Sequence, residues 1–147
     1  MKDRFIRFTA LISDIMRNIR RIMSDTAARY DIRRSCIGII YYLYRNGPLA
    51  ATKICRLCGE DKANVSRALK TLEDDGYIAR EERPASRSRV RMLLTEEGNR
   101  IGALLDERIA EVVAIATEGI DAENIEMMYE VLGKIDENLA IVVDSDD

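Results

Sequence analysis

Three groups of residues in this 147-residue chain have types and spacings suited to chemistry. The first is Cys55-x-x-Cys58, a spacing that serves redox dithiols and metal sites. Cys36 is the third cysteine, and there is no histidine at all. One chain therefore cannot surround zinc with four thiolates or with paired cysteines and histidines. The missing histidine also removes Ser-His-Asp and Cys-His nucleophilic catalysis. An odd cysteine count argues against a secreted disulfide framework. At i, i+3 on a short helix the two thiols share one side, where small or apolar residues belong. Core filling is the expected role of Cys55 and Cys58, and thiol-based redox sensing is the alternative. Carboxylates are numerous, yet none stands as an acid–base pair beside a glycine-rich or metal-ligand motif. Neither an enzymatic activity nor a cofactor is expected.

The second group is Lys62, Ala63, Asn64, Ser66, Arg67 and Lys70. If Val65, Leu69 and Leu72 turn toward a core, these six residues face outward on one helix. Asn pairs bidentately with adenine and Arg with guanine, while Ser and Lys reach phosphates. An ordinary solvated helix face would use the same residue types. The third group is Arg83, Arg87, Arg89 and Arg91, set around the polar tip Pro84-Ala85-Ser86-Arg87-Ser88, with no acid between Arg83 and Arg91. Arginines on such a tip suit the negative potential of a narrow minor groove.

These groups need elements to position them. Residues 4–26 place Phe5, Phe8, Ile12, Ile15, Met16, Ile19, Ile22 and Met23 at steps of three and four, the period of an amphipathic helix. A second helix is predicted over 33–46, with Ile39, Ile40, Leu43 and Tyr44 inward, stopped by Gly47 and Pro48. Residues 51–58 predict a short helix closed by Gly59. Residues 62–75 predict the next, with Asp61 as N-cap and Gly76 just beyond its end. The two short helices and the tight Gly59-Glu60-Asp61 turn form a helix-turn-helix, whose second helix would enter a major groove. Strands are predicted over 77–83 and 89–94, where Val90, Met92 and Leu94 alternate with Arg91 and Leu93. They flank the basic tip as a hairpin, the geometry of a wing. Thr95 caps a long helix carrying Ile101, Leu104, Leu105, Ile109, Val112, Val113 and Ala116. Gly119 ends it. A last helix starts at Asp121 and carries Ile125, Met128, Leu132, Ile135, Leu139 and Val142. Glu73, Asp74 and Asp75 sit at the negative end of a helix dipole, which is locally unfavourable.

Charge is segregated along this order. The chain is 33% charged, 47% hydrophobic and 5% aromatic, with a net charge of −3. Residues 1–49 carry a net +6, residues 50–95 a net +3 and residues 96–147 a net −12. An acidic total therefore leaves room for a polyanionic partner, because potential is local. No apolar run approaches the ~18 residues that span a bilayer. The first residues mix acids and arginines into their apolar positions, unlike signal or transit peptides. No membrane partner is expected, and the cytoplasm is the default compartment.

The run IGIIYYLYRNGPLAATKICRLCGEDKANVSRALKTLEDDGYIAREERPASRSRVRMLLTEEG resembles the winged-helix core of the MarR family of bacterial and archaeal transcription regulators. The cues are GPLAATKI, DKANVSRALKTLEDDGYI and LLTEEG, and the likeness covers residues 33–100. The expected fold is mainly α with a small β-hairpin wing: a winged helix-turn-helix at 33–98, flanked by dimerisation helices at 1–32 and 99–147. The resemblance implies a homodimer on a palindromic double-stranded DNA operator, acting as a repressor. It places Lys62, Ala63, Asn64, Ser66 and Arg67 on the recognition-helix face. The family's wing carries an Asp and, two residues on, an Arg placed seven residues before the Thr of its LT motif. Counting back from Thr95 puts Ser86 and Ser88 there, so Arg87 or Arg89 would substitute through a one-residue register shift. The family often binds a small, frequently aromatic or anionic effector between the dimer helices and the winged helix. Arg17, Arg20, Arg21, Tyr30, Tyr41 and Tyr42 are candidates for such a cleft, but surface solvation and packing account for them better and none is assigned to it. Dimerisation has a physical argument of its own, since long apolar stripes on terminal helices would be exposed patches unless a second copy covered them. The competing expectations are an intramolecular bundle and a winged helix used as a protein-interaction module.

Overall fold

The computed structural model describes residues 2–82 and 90–144. Its elements run in the order α1 (Lys2–Arg29), α2 (Arg34–Asn46), β1 (Leu49–Ala50), α3 (Ala51–Cys58), α4 (Lys62–Asp74), β2 (Ile78–Arg80), β3 (Arg91–Leu94), α5 (Glu96–Ala116) and α6 (Ala122–Asp144). The chain forms two compact units, 1–108 and 109–147.

In the first unit α2 is the central helix. Its apolar face presents Cys36, Ile37, Ile39, Ile40 and Leu43, all buried. Ala27 from α1, Ile32 before α2, Ile54 from α3, Val65, Ala68, Leu69 and Leu72 from α4, Ile78 from β2, Met92 from β3 and Ile101 and Leu105 from α5 complete the core. Burying such aliphatic side chains contributes about 1.5–3 kcal/mol each. Tyr44 differs from expectation: it is exposed. Its ring instead lies over Gly102, where an added Cβ would come within 2.6 Å of it. The tyrosine covers the outside of the α2–α5 contact, and Cys36 and Ile37 fill the interior instead.

The strands are shorter than their patterns predicted, at 78–80 and 91–94 rather than 77–83 and 89–94. They belong to an antiparallel sheet of three strands, ordered β1-β3-β2. Met92 stands opposite Leu49 on one side and Arg80 on the other. The added strand is only two residues long, too short to leave a period in the sequence. Thr95 then turns the chain into α5. Its hydroxyl accepts from the Gly98 amide at 3.1 Å and donates to the Gly76 carbonyl at 2.6 Å. The first turn of α5 is thereby seated against the Gly76-Tyr77 backbone. A Cβ on Gly98 would fall 2.0 Å from the Tyr77 carbonyl oxygen, so only glycine fits.

The second unit holds the end of α5, a turn and α6. Gly119, at φ 74°, makes the reversal. Thr117 donates its hydroxyl to the Val113 carbonyl at 2.8 Å, satisfying one of the carbonyls orphaned at a helix end. Ile125 and Ile135 are half-buried. Met127, Met128, Val131, Leu132, Leu139 and Val142 are exposed.

Candidate nucleic-acid interface

The helix pair α3–α4 is fixed by its turn. Gly59 takes the left-handed conformation, at φ 62°, and its amide bonds the Cys55 carbonyl. That reversal is inexpensive only for glycine. Two residues later Asp61 adopts the extended N-cap geometry, and its carboxylate accepts from the Asn64 amide at 2.8 Å. α4 therefore starts at Lys62, and its register is set. Val65, Ala68, Leu69 and Leu72 turn inward. Lys62, Ala63, Asn64, Ser66, Arg67 and Lys70 are all exposed, as the sequence pattern placed them.

The outward face is not a row of free side chains. The Asn64 amide nitrogen donates to Asp61 Oδ2 at 2.7 Å and to Glu60 Oε2 at 3.3 Å. Its oxygen accepts from the Arg67 guanidinium. Lys70 pairs with Asp74 at 3.2 Å, one turn along the same helix. Its ammonium is thus shared with a carboxylate rather than held ready for phosphate alone. The acidic end of α4 also finds its explanation. Arg80 of β2 forms a two-pronged pair with Glu73, at 2.7 and 3.1 Å. Asp74 has Lys70, so two of the three acids crowding the dipole are compensated. Arg80 is held firmly protonated by that pairing, first through the hydrogen bond to Glu73.

At the base of the wing, Arg91 pairs with Glu81 through two hydrogen bonds. Hydrogen bonding to Arg91 pulls the Glu81 carboxyl below the usual range. One of the four arginines of the basic hairpin is therefore neutralised within the fold. Arg87 and Arg89, with the tip from Arg83 through Ser88, lie outside the described residues.

The three thiols differ in burial. Cys36 is buried, with its Sγ 3.8 Å from the Ala68 carbonyl, and burial raises its pKa. Cys55 and Cys58 are half-buried and unbridged. Burial, then the neighbouring Cys55, pushes the Cys58 thiol up to about 11. A thiol at that value is overwhelmingly protonated at neutral pH, the opposite of a reactive cysteine. Among the described residues no cluster of three or more Cys, Asp or Glu side chains is placed to hold a metal ion.

Behind the outward face of α4 lies a cavity of about 540 Å³ between the C-terminal half of α1, the start of α2 and α4. Arg20, Arg33, Arg34, Tyr42, Asn64 and Arg67 line it, together with Glu60 and Cys58. Of the six candidates named above, Arg20 and Tyr42 line this cavity. Arg17 instead pairs with Asp14, and the Tyr30 hydroxyl donates to the Leu104 carbonyl at 3.4 Å. Arg21 and Tyr41 are not among the lining residues. Arg33 and Arg34 were missed from the sequence. Their signal was an arginine pair directly before an apolar helix, which reads equally well as a solvated N-terminus. No helix among the described residues is long and apolar enough to cross a membrane.

Residues 30–87 match a family model described as MarR family. Solved structures of similar fold include a MarR family transcriptional regulator from Listeria monocytogenes, complexed with 26mer DNA. It is 22% identical at TM-score 0.82, over 90% of this chain and 88% of that one. A MarR family regulator from Neisseria meningitidis is 19% identical at TM-score 0.79, over 94% and 97%. A MarR transcriptional regulator from Methanosarcina mazei is 21% identical at TM-score 0.74, over 91% and 97%. At these identities the likeness establishes the fold, a winged helix-turn-helix with additional helices at both ends.

Proposed function

We propose that this chain is a MarR family transcription regulator: a homodimer that binds a palindromic double-stranded DNA operator and represses from it. The carrying observation is the α4 face, where Lys62, Ala63, Asn64, Ser66, Arg67 and Lys70 stand exposed above a buried Val65-Leu69-Leu72 stripe. A capped helix at the end of a rigid turn, with a guanidinium near its N-terminus, has the form of a major-groove reading head. The DNA-bound Listeria structure of the same fold supports that use.

Homodimerisation is supported by what each unit leaves in water. α1 exposes Phe5, Ile6, Leu11, Ile15, Met16 and Ile19, and the second unit exposes a longer set from Val113 to Val143. Covering side chains of this kind is worth about 1.5–3 kcal/mol each, far more than association costs even after halving for overcounting. We assign residues 1–32 and 99–147 to this role and 33–98 to DNA. A two-fold axis would then set two α4 helices about 34 Å apart, one turn of B-DNA. In the basic tip, which lies outside the described residues, Arg87 and Arg89 are the side chains we assign to the minor groove.

The cavity behind α4 supports release by a small anionic effector. Arg20, Arg33 and Arg34 face it with no ion pair among the described residues, and Arg67 reaches both its rim and the reading face. An anion held there would compete with DNA for Arg67. The thiol-sensor alternative loses support from the elevated Cys58 pKa.

The test is an operator obtained by selection from host DNA, followed by a salt titration. Affinity falls steeply with salt, because phosphate contacts release counterions. Arg67→Ala weakens operator binding by about 10-fold or more, the scale of one lost bidentate base contact. Unchanged binding by Arg67→Ala removes this role for α4. Silence toward all DNA at low salt favours a protein-interaction module with its acidic C-terminal third as the docking surface.

A further inference from the structure

The hydrogen bonds around Asn64 divide labour on the reading face, and this division rests on the DNA-binding reading above. A side-chain amide has two N–H hydrogens and an oxygen with two lone pairs. Reading adenine bidentately takes one N–H for the purine N7 and the oxygen for the N6 amino group. In this chain both N–H hydrogens are already committed, one to Asp61 Oδ2 at 2.7 Å and one to Glu60 Oε2 at 3.3 Å. The oxygen accepts from Arg67. The orientation of the amide follows from its neighbours: carboxylates only accept and a guanidinium only donates, so the nitrogen must face Glu60 and Asp61 and the oxygen must face Arg67. Asp61 is itself anchored, because the same carboxylate caps α4 through the Asn64 backbone amide at 2.8 Å. The chain of contacts therefore runs from the helix cap through the amide to the guanidinium.

We propose that Asn64 does not read a base but is a positioning residue that holds Arg67 for a guanine. Arg67 donates one N–H to Asn64 and keeps the others of its planar fork for O6 and N7 of one guanine. A side chain with this many rotatable bonds loses less freedom on binding DNA when it is already held. The two acids gain a role as well. Placed beside the amide, they withhold it from adenine.

The experiment is a double-mutant cycle read by base preference. Wild type, Asn64→Ala, Arg67→Ala and the double variant are titrated against operators carrying each base pair in turn at every position. Thermal melting checks that all four fold, and Ala at exposed position 64 favours helix. The proposal expects Arg67→Ala to lose about 5- to 150-fold discrimination at one G·C pair. Asn64→Ala loses part of that discrimination at the same pair and at no other, and the double variant is no worse than Arg67→Ala alone. Discrimination lost by Asn64→Ala at a separate A·T pair, adding to the Arg67→Ala loss, would overturn it. So would an Asn64→Ala profile identical to wild type. Wild-type protein with no base preference anywhere would instead defeat the DNA-reading function itself.

Discussion

At the scale of the residue, neighbours decided which side chains are available. Asn64 and Lys70 look alike from sequence, as polar groups on one outward face. Asn64 is committed to Glu60, Asp61 and Arg67, and Lys70 is shared with Asp74. The first shares belong to a network and the second to an exposed i, i+4 pair, which contributes only a few tenths of a kcal/mol. If α4 meets DNA as proposed, phosphate would take Lys70 from Asp74 at little cost. Cys58 carries a prediction of its own. Its thiol titrates near the ordinary 9.0 when the chain is unfolded and at about 11 when folded. The folded state holds the proton longer, so the stabilising contribution is complete below about pH 9 and is lost as pH rises toward 11. Urea unfolding of wild type and Cys58→Ala between pH 8 and ~11 should show the wild-type advantage shrinking over that window. An advantage that grows with pH would mean that the folded site favours the thiolate.

At the scale of the element, caps and close approaches set the geometry that residues inherit. The Asp61 cap and the Gly59 reversal give α4 its start, and hence its outward face. The same logic holds where α5 meets the sheet. Thr95 ties the first turn of α5 to Gly76, and Gly98 lies against the Tyr77 carbonyl. Gly98→Ala should therefore destabilise the protein by about 1–3 kcal/mol or more, since the obstacle is backbone and cannot rotate away. A denaturant midpoint equal to wild type would show that the α5 entrance is looser than this packing implies. The Arg80–Glu73 pair belongs to the same scale: it links the end of α4 to β2. It also explains why an acidic C-terminus on α4 is tolerated.

At the scale of the whole molecule, exposed apolar surface and segregated charge dominate. The second unit exposes Met127, Met128, Val131, Leu132, Leu139 and Val142 on α6. If these residues form a dimer seam, Leu139→Glu should convert the protein from dimer to monomer in sedimentation, because a buried unpaired carboxylate is prohibitive. Operator affinity should fall with it by well over 10-fold, since one half-site retains only part of the contacts. A variant that remains dimeric would place the seam elsewhere. Residues 96–147 carry a net −12 and residues 1–95 a net +9. DNA would thus meet the winged helix and be repelled by the acidic third.

The sequence by itself determined the helix-turn-helix and its frame. Gly47, Gly59, Asp61, Gly76 and Thr95 act through local backbone chemistry, and the 3.6-residue period of α4 assigns its faces without reference to anything distant. Tertiary structure decided what long-range proximity controls. It added the two-residue β1 as a third strand, left Tyr44 outside over Gly102, and brought Arg20, Arg33 and Arg67 around one cavity. It also joined Glu73 to Arg80 across seven residues of chain. A period or a cap is written in adjacent residues, whereas an ion pair or a cavity exists only once separate segments have been folded to within a few ångströms of each other.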